Sequence, residues 1–148
     1  MKPTPAGWQR FSPSLAYREP RAMIVWLCSA YGFELKLLVQ SDDGKVEHSE
    51  LSYGEGLIMV SQEDGGAPPR FGVPMRSPHS VAGANTQNIM VFVDNVDAHC
   101  AQARTAGARI VAEPSDHDYG DEYWTDRSYG AVDPEGHLWW FSERLRGN

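Results

Sequence analysis

The run Ser115-Asp116-His117-Asp118-Tyr119-Gly120-Asp121-Glu122-Tyr123-Trp124 places one imidazole beside four carboxylates. That mixture suits a divalent cation or a general base near neutral pH. It equally suits a solvated acidic loop. His48, His79, His99 and His137 have no second ligand at metal-binding spacing, and His137, directly after a glycine, reads as ordering a turn. There is no Ser-His-Asp elbow and no phosphate-cradling glycine loop; Gly54-x-Gly56 is too short and precedes a strand. Cys28 and Cys100 form no Cys-x-x-Cys pair, so each reads as helix core rather than as a redox or zinc site.

The bulk properties narrow the field. A chain of 148 residues fits one domain, and sixteen aromatics among 41% hydrophobic residues supply a core. The formal net charge of -7, without a Lys/Arg cluster, disfavours nucleic acid. The N-terminus has no apolar signal core, and no run approaches the roughly 18 apolar residues that span a bilayer. No membrane partner and a cytoplasmic location are expected.

The elements that must position these residues follow from periodicity. Phe11–Tyr17 alternates as a strand. Glu19-Pro20 opens a helix whose apolar stripe is Met23, Trp26, Leu27, Ala30 and Tyr31, and Gly32 stops it. Strands are expected at 33–40, 45–53 and 57–61, the first two joined by the turn Asp42-Asp43-Gly44. Residues 62–84, rich in Gly and Pro, read as a connector. The order then repeats. A strand at 88–93 leads to a helix capped by Asp94-Asn95 and stopped at Gly107, followed by a strand at 109–112. A polar aromatic loop at 113–122 comes before strands at 123–132 and 137–142, which are joined by the type I turn Asp133-Pro134-Glu135-Gly136. The helix-ending glycines Gly32 and Gly107 lie 75 positions apart, and Gly56 and Gly136 lie 80 apart. The chain therefore reads as a duplicated βαβββ unit: module one at about 9–62, a linker at 63–84, and module two at about 85–143.

Three stretches in this frame resemble the vicinal oxygen chelate superfamily of glyoxalases, bleomycin resistance proteins and extradiol dioxygenases. They are Val93-Asp94-Asn95-Val96-Asp97 with Ala106-Gly107-Ala108, the hairpin Asp133-Pro134-Glu135-Gly136-His137, and Ala30-Tyr31-Gly32-Phe33. The resemblance implies an α+β fold in which two βαβββ modules form a curved, mixed eight-stranded sheet around a ligand cavity. In metal-dependent members each module supplies two ligands, from its first and last strands. Carried over, those positions fall on Ser12, Met59, Asn88 and Trp140. None offers a carboxylate or an imidazole, so no metal and no cofactor are expected. Asp118-Tyr119-Gly120-Asp121 also resembles a loop that borders the cavity in metal-less members.

Alternation from Asn88 and Trp140 puts Met90, Phe92, Leu138 and Ser142 on the cavity face, with Ile89, Val91, Val93, Trp139 and Phe141 beneath the helix. In module one Ser12, Ser14, Leu57, Met59 and Ser61 share that face. The expected ligand-binding residues are Ser12, Ser14, Met59, Asn88, Met90, Phe92, Trp124 and Trp140. Adaptable Met and flat Trp suit a planar or cationic small molecule; the same side chains also suit a closed core. The favoured function is a metal-independent small-molecule binding protein of the bleomycin-resistance type. A homodimer is expected, because related resistance proteins form the site between two subunits. One alternative is a metal-dependent glyoxalase-like lyase or isomerase, or a dioxygenase, with ligands from His48, Glu50 or His117. The other is an interaction module without a ligand.

Overall fold

A computed structural model of the chain describes residues 1–66, 68–69 and 71–147. These residues divide into two compact units, Met1–Val81 and the remainder from Ala82. The first carries β1 (Ser14–Tyr17), α1 (Pro20–Tyr31), β2 (Glu34–Gln40), β3 (Val46–Tyr53) and β4 (Gly56–Gln62). The second carries β5 (Ile89–Phe92), α2 (Val96–Thr105), β6 (Arg109–Asp118), β7 (Thr125–Val132) and β8 (Leu138–Arg146). The fold is thus α+β with two βαβββ modules. Hydrogen bonding arranges the strands as two four-stranded sheets of matching order, β1-β4-β3-β2 and β5-β8-β7-β6, rather than as one eight-stranded ladder. In each sheet the first and last strands of the module pair in parallel, and the other neighbours are antiparallel.

In module one, Pro20 occupies the first turn of α1, where its missing N–H costs nothing. Gly32 ends the helix at φ +79°, and its N–H bonds to the Cys28 carbonyl at 3.2 Å. Met23, Ile24, Leu27, Ala30 and Tyr31 are buried. Ile24 belongs to the buried stripe, whereas Trp26, expected in it, is only half-buried. Beneath the helix lie Leu15, Tyr17, Leu51, Ile58 and Val60, all buried.

The connector after β4 is pinned rather than loose. Glu63 accepts the Ser77 N–H and the Ser80 hydroxyl, each at 2.8 Å. Asp64 accepts the Met75 N–H at 2.7 Å and exchanges a backbone bond with the same residue. A 3-10 turn, Pro78–Val81, closes the segment.

In module two, Asn95 accepts the Ala98 N–H at 2.8 Å and caps α2, while Val96, Cys100 and Ala103 face inward. Across from them Tyr129, Trp139 and Phe141 are fully buried in a stack, with His99 hydrogen-bonded to the Tyr129 hydroxyl at 2.7 Å. Each such side chain contributes about 1.5–3 kcal/mol of burial. The Asp133 turn has its own lock. One carboxylate oxygen accepts the N–H groups of Glu135 and His137, and the other accepts the indole N–H of Trp139 at 3.1 Å.

Several expected boundaries move. The first strand begins at Ser14 rather than Phe11, which is exposed, and β7 begins at Thr125 rather than Tyr123. The segment expected as a polar loop at 113–122 is strand as far as Asp118, because Ser115, Asp116, His117 and Asp118 pair with Ser128, Arg127, Asp126 and Thr125. Strand β8 continues past Ser142 to Arg146 and pairs with the start of β7.

Candidate functional site

Period two gives the sheet of module two a helix side and an open side. In the parallel β5/β8 pair, Met90 is opposite Trp140 and Phe92 opposite Ser142, while Ile89 and Val91 are opposite the buried Trp139 and Phe141. The open side therefore carries Met90, Phe92, Trp140 and Ser142, as alternation requires. Met90 is 56% and Phe92 49% exposed, which is unusual for large apolar side chains side by side on one face. Gly130, opposite Trp140 in β7, makes room for the indole. A Cβ there would stand 3.2 Å from the ring and 3.3 Å from a Val111 methyl. Below it, the hydroxyls of Ser128 and Ser142 bond to each other at 2.8 Å and are buried.

Continuing along β8, the next open-side residue is Arg144. Its Nε donates to Asp126 at 2.5 Å, and Asp126 is its ladder partner on β7. The guanidinium carbon lies over two rings, 5.4 Å from the Phe92 centroid and 5.0 Å from that of Trp124. Trp124, 37% exposed, closes the β6–β7 hairpin and contacts Tyr119 and Tyr123. That hairpin is held to the end of β8 by Arg146, which donates to Asp118 and to the Gly120 carbonyl. The result is an aromatic surface built around one fixed cation.

The other expected site residues are placed as follows. Asn88 is exposed, just before β5. In module one Ser14 and Met59 are ladder partners, with Met59 half-buried. The Ser12 hydroxyl is buried with no hydrogen-bond partner among the described residues. Glu50 is the antiparallel partner of Met59, and His48, two residues away on the same side, meets it at 2.9 Å. His117 is exposed and bonds to the Ser115 hydroxyl. Its neighbouring carboxylates are committed elsewhere, Asp116 to Arg127 and Asp118 to Arg146 and the Gly120 N–H. Arg127 also holds Asp97, depressing that carboxyl below the usual aspartate range through its hydrogen bond. Among the described residues no three His, Cys, Asp or Glu side chains come together as a metal site. A hydroxyl, a thioether, an amide and an indole at Ser12, Met59, Asn88 and Trp140 do not fit a divalent cation. A concavity of about 500 Å³ lies in module one between Lys45, Ser61 and Asp64 and the exposed Phe71, Val73 and Met75.

Sequence reasoning missed Arg144 and Asp126. The signal available was the alternation Trp140, Ser142, Arg144 carried beyond the expected strand end.

Residues 12–141 match the family model of the Glyoxalase/Bleomycin resistance protein/Dioxygenase superfamily. The chain belongs to this superfamily. Curated relatives of the superfamily member include Mb0911c of Mycobacterium bovis, 29% identical over 91% of this chain and 83% of that protein. Rv0887c of Mycobacterium tuberculosis is also 29% identical, over 91% of this chain and 74% of its own length. Among solved structures, TioX from Micromonospora sp. ML1 is 28% identical, covering 95% of this chain and 99% of that one with a TM-score of 0.66. A glyoxalase/bleomycin resistance protein/dioxygenase family enzyme from Burkholderia phytofirmans PsJN shares the fold at 17% identity and a TM-score of 0.60, covering 90% and 98%. No helix among the described residues is long and apolar enough to cross a membrane.

Proposed function

We propose that this superfamily member is a metal-independent binding protein for a planar small molecule. The observation that carries the proposal is the open side of module two, where Met90, Phe92, Trp124 and Trp140 leave apolar and aromatic surface uncovered around Arg144. Ser12, Ser14 and Met59 on module one, and Asn88, are the further candidate contacts. In this reading residues 9–62 and 85–143, joined by 63–84, belong to one ligand-binding domain. It acts in the cytoplasm as a homodimer, whose second copy covers apolar surface that a single copy leaves exposed. The metal-free part of the reading rests on residue chemistry, because the four positions that hold metal in metal-dependent relatives lack carboxylate and imidazole.

Native mass spectrometry with elemental analysis of the purified protein tests this reading. The expected result is a dimer without stoichiometric metal that carries or takes up a small organic molecule. One tightly bound equivalent of zinc, nickel or iron that restores turnover would overturn it. The alternative of a glyoxalase-like lyase or isomerase, or a dioxygenase, has one observation in its favour, the His48–Glu50 pair beside Met59. It predicts turnover that a chelator abolishes.

A further inference from the structure

The feature of module two that a generic apolar face does not explain is the state of Arg144. Its side chain is only 27% exposed, and it is fixed three ways, by Asp126 at Nε and by the rings of Phe92 and Trp124. A guanidinium carries five N–H donors, and Asp126 takes the one on Nε. Among the described residues, no protein acceptor receives the four donors on the two Nη groups. Neither Nη is a buried atom without a partner, so these donors reach the open side and are available to a ligand. Here the planar group is held rigid at the edge of an aromatic surface with its donor face unspent.

We propose that the ligand of this face is a flat aromatic compound bearing a hydrogen-bond acceptor, a ring carboxylate or a ring carbonyl, which docks on the Nη groups of Arg144. The proposal rests on reading this face as a small-molecule site, and it assigns the ligand's polarity. The ring covers the exposed parts of Met90, Phe92 and Trp124, and the acceptor meets the guanidinium in its plane, where fork geometry favours two parallel bonds. Because Asp126 and the two rings already orient Arg144, little rotamer entropy remains to be lost on binding. A cationic ligand is disfavoured, since Arg144 already supplies the positive charge that the Phe92 and Trp124 faces attract. The chain's net charge of -7 repels anions at long range, so the selectivity is a short-range contact and persists at physiological salt.

Three probes that share one ring separate the possibilities: 2-naphthoate, 2-naphthamide and 2-naphthylmethylammonium, titrated calorimetrically into the metal-free full-length protein. The better of the two acceptor probes is expected to bind at least about tenfold tighter than the ammonium. A lead for naphthoate assigns a carboxylate, and parity with naphthamide assigns a carbonyl. Arg144→Gln is expected to erase the preference while the ring still binds. Arg144→Lys keeps a charge and donors beside Asp126, guarding against misfolding, but lacks the planar fork, so it is expected to weaken the preference without erasing it. Equal or tighter binding of the ammonium by the wild type would overturn the inference while leaving the binding function standing. So would a preference that survives undiminished in Arg144→Gln. Failure of all three probes to bind the wild type would overturn the small-molecule reading itself, and the inference with it.

Discussion

The Asp133 turn offers the sharpest test of how the last hairpin is held. Asp133 is 4% exposed, and its two oxygens divide their work. One receives the N–H groups of Glu135 at 3.0 Å and His137 at 3.1 Å, the other the indole N–H of the fully buried Trp139 at 3.1 Å. Asp133→Asn keeps the shape but replaces one oxygen with an amide NH2. If the remaining oxygen serves the turn, a donor faces the Trp139 donor; if the amide flips, two backbone donors are stranded instead. A bond to a charged acceptor is worth about 1.5–3 kcal/mol, so Asp133→Asn is expected to destabilise by about that much. For a domain of this size that is a drop of about 4–10 °C in Tm. Asp133→Ala removes both acceptors and is expected to cost more, about 3 kcal/mol or above. Urea unfolding followed by tryptophan fluorescence measures both, with an unchanged m-value as the control. An Asp133→Asn protein within about 0.5 kcal/mol of wild type, the range of an ordinary surface substitution, would refute the reasoning.

Other consequences are less dependent on one residue. Gly130→Ala puts a methyl 3.2 Å from the Trp140 ring, so it is expected to shift the tryptophan emission and weaken ligand binding while costing only about 1–3 kcal/mol; unchanged emission would show that Trp140 does not lie over β7. Glu63→Ala strips the acceptor from Ser77 and Ser80, and faster tryptic cleavage at Arg76 is the expected outcome. Asp97 is held below its usual pKa by Arg127, so its contribution to stability is present above about pH 4 and is lost as pH falls through the lower folded value. Asp97→Asn should therefore flatten the acid limb of a Tm-versus-pH curve below about pH 4 and leave its slope near neutrality unchanged.

How much of this was legible beforehand depended on the range of the interaction. Period two is backbone geometry, so placing Met90, Phe92 and Trp140 opposite Trp139 and Phe141 needed no knowledge of partners. The Asn95 cap, the Gly32 stop and the Asp133 turn are equally local, and each formed as its residues dictate. Strand β6 beyond Ala112 was not legible, because Ser115–Asp118 are polar and poor strand formers. Pairing with β7 and the ion pairs of Arg127 and Arg146 hold it, and these depend on residues far along the chain. The same applies to Arg144, whose role exists only once β7 delivers Asp126 and β5 delivers Phe92. The exposure of Asn88 was not legible either: alternation gives a side chain's parity, while burial depends on what covers the strand end, and nothing in the described residues buries it.

The central claim is that a ligand binds the open side of module two without a metal ion, and methionine methyl NMR tests it most directly. Met90 lies on that face, Met23 is buried on the inner side of α1, and Met75 borders the groove in module one. With EDTA present and 2-naphthoate added, the Met90 methyl signal is predicted to move saturably while Met23 and Met75 stay in place. A Met90 signal that stays fixed while Met75 moves, or that moves only after a divalent metal is supplied, would contradict the account.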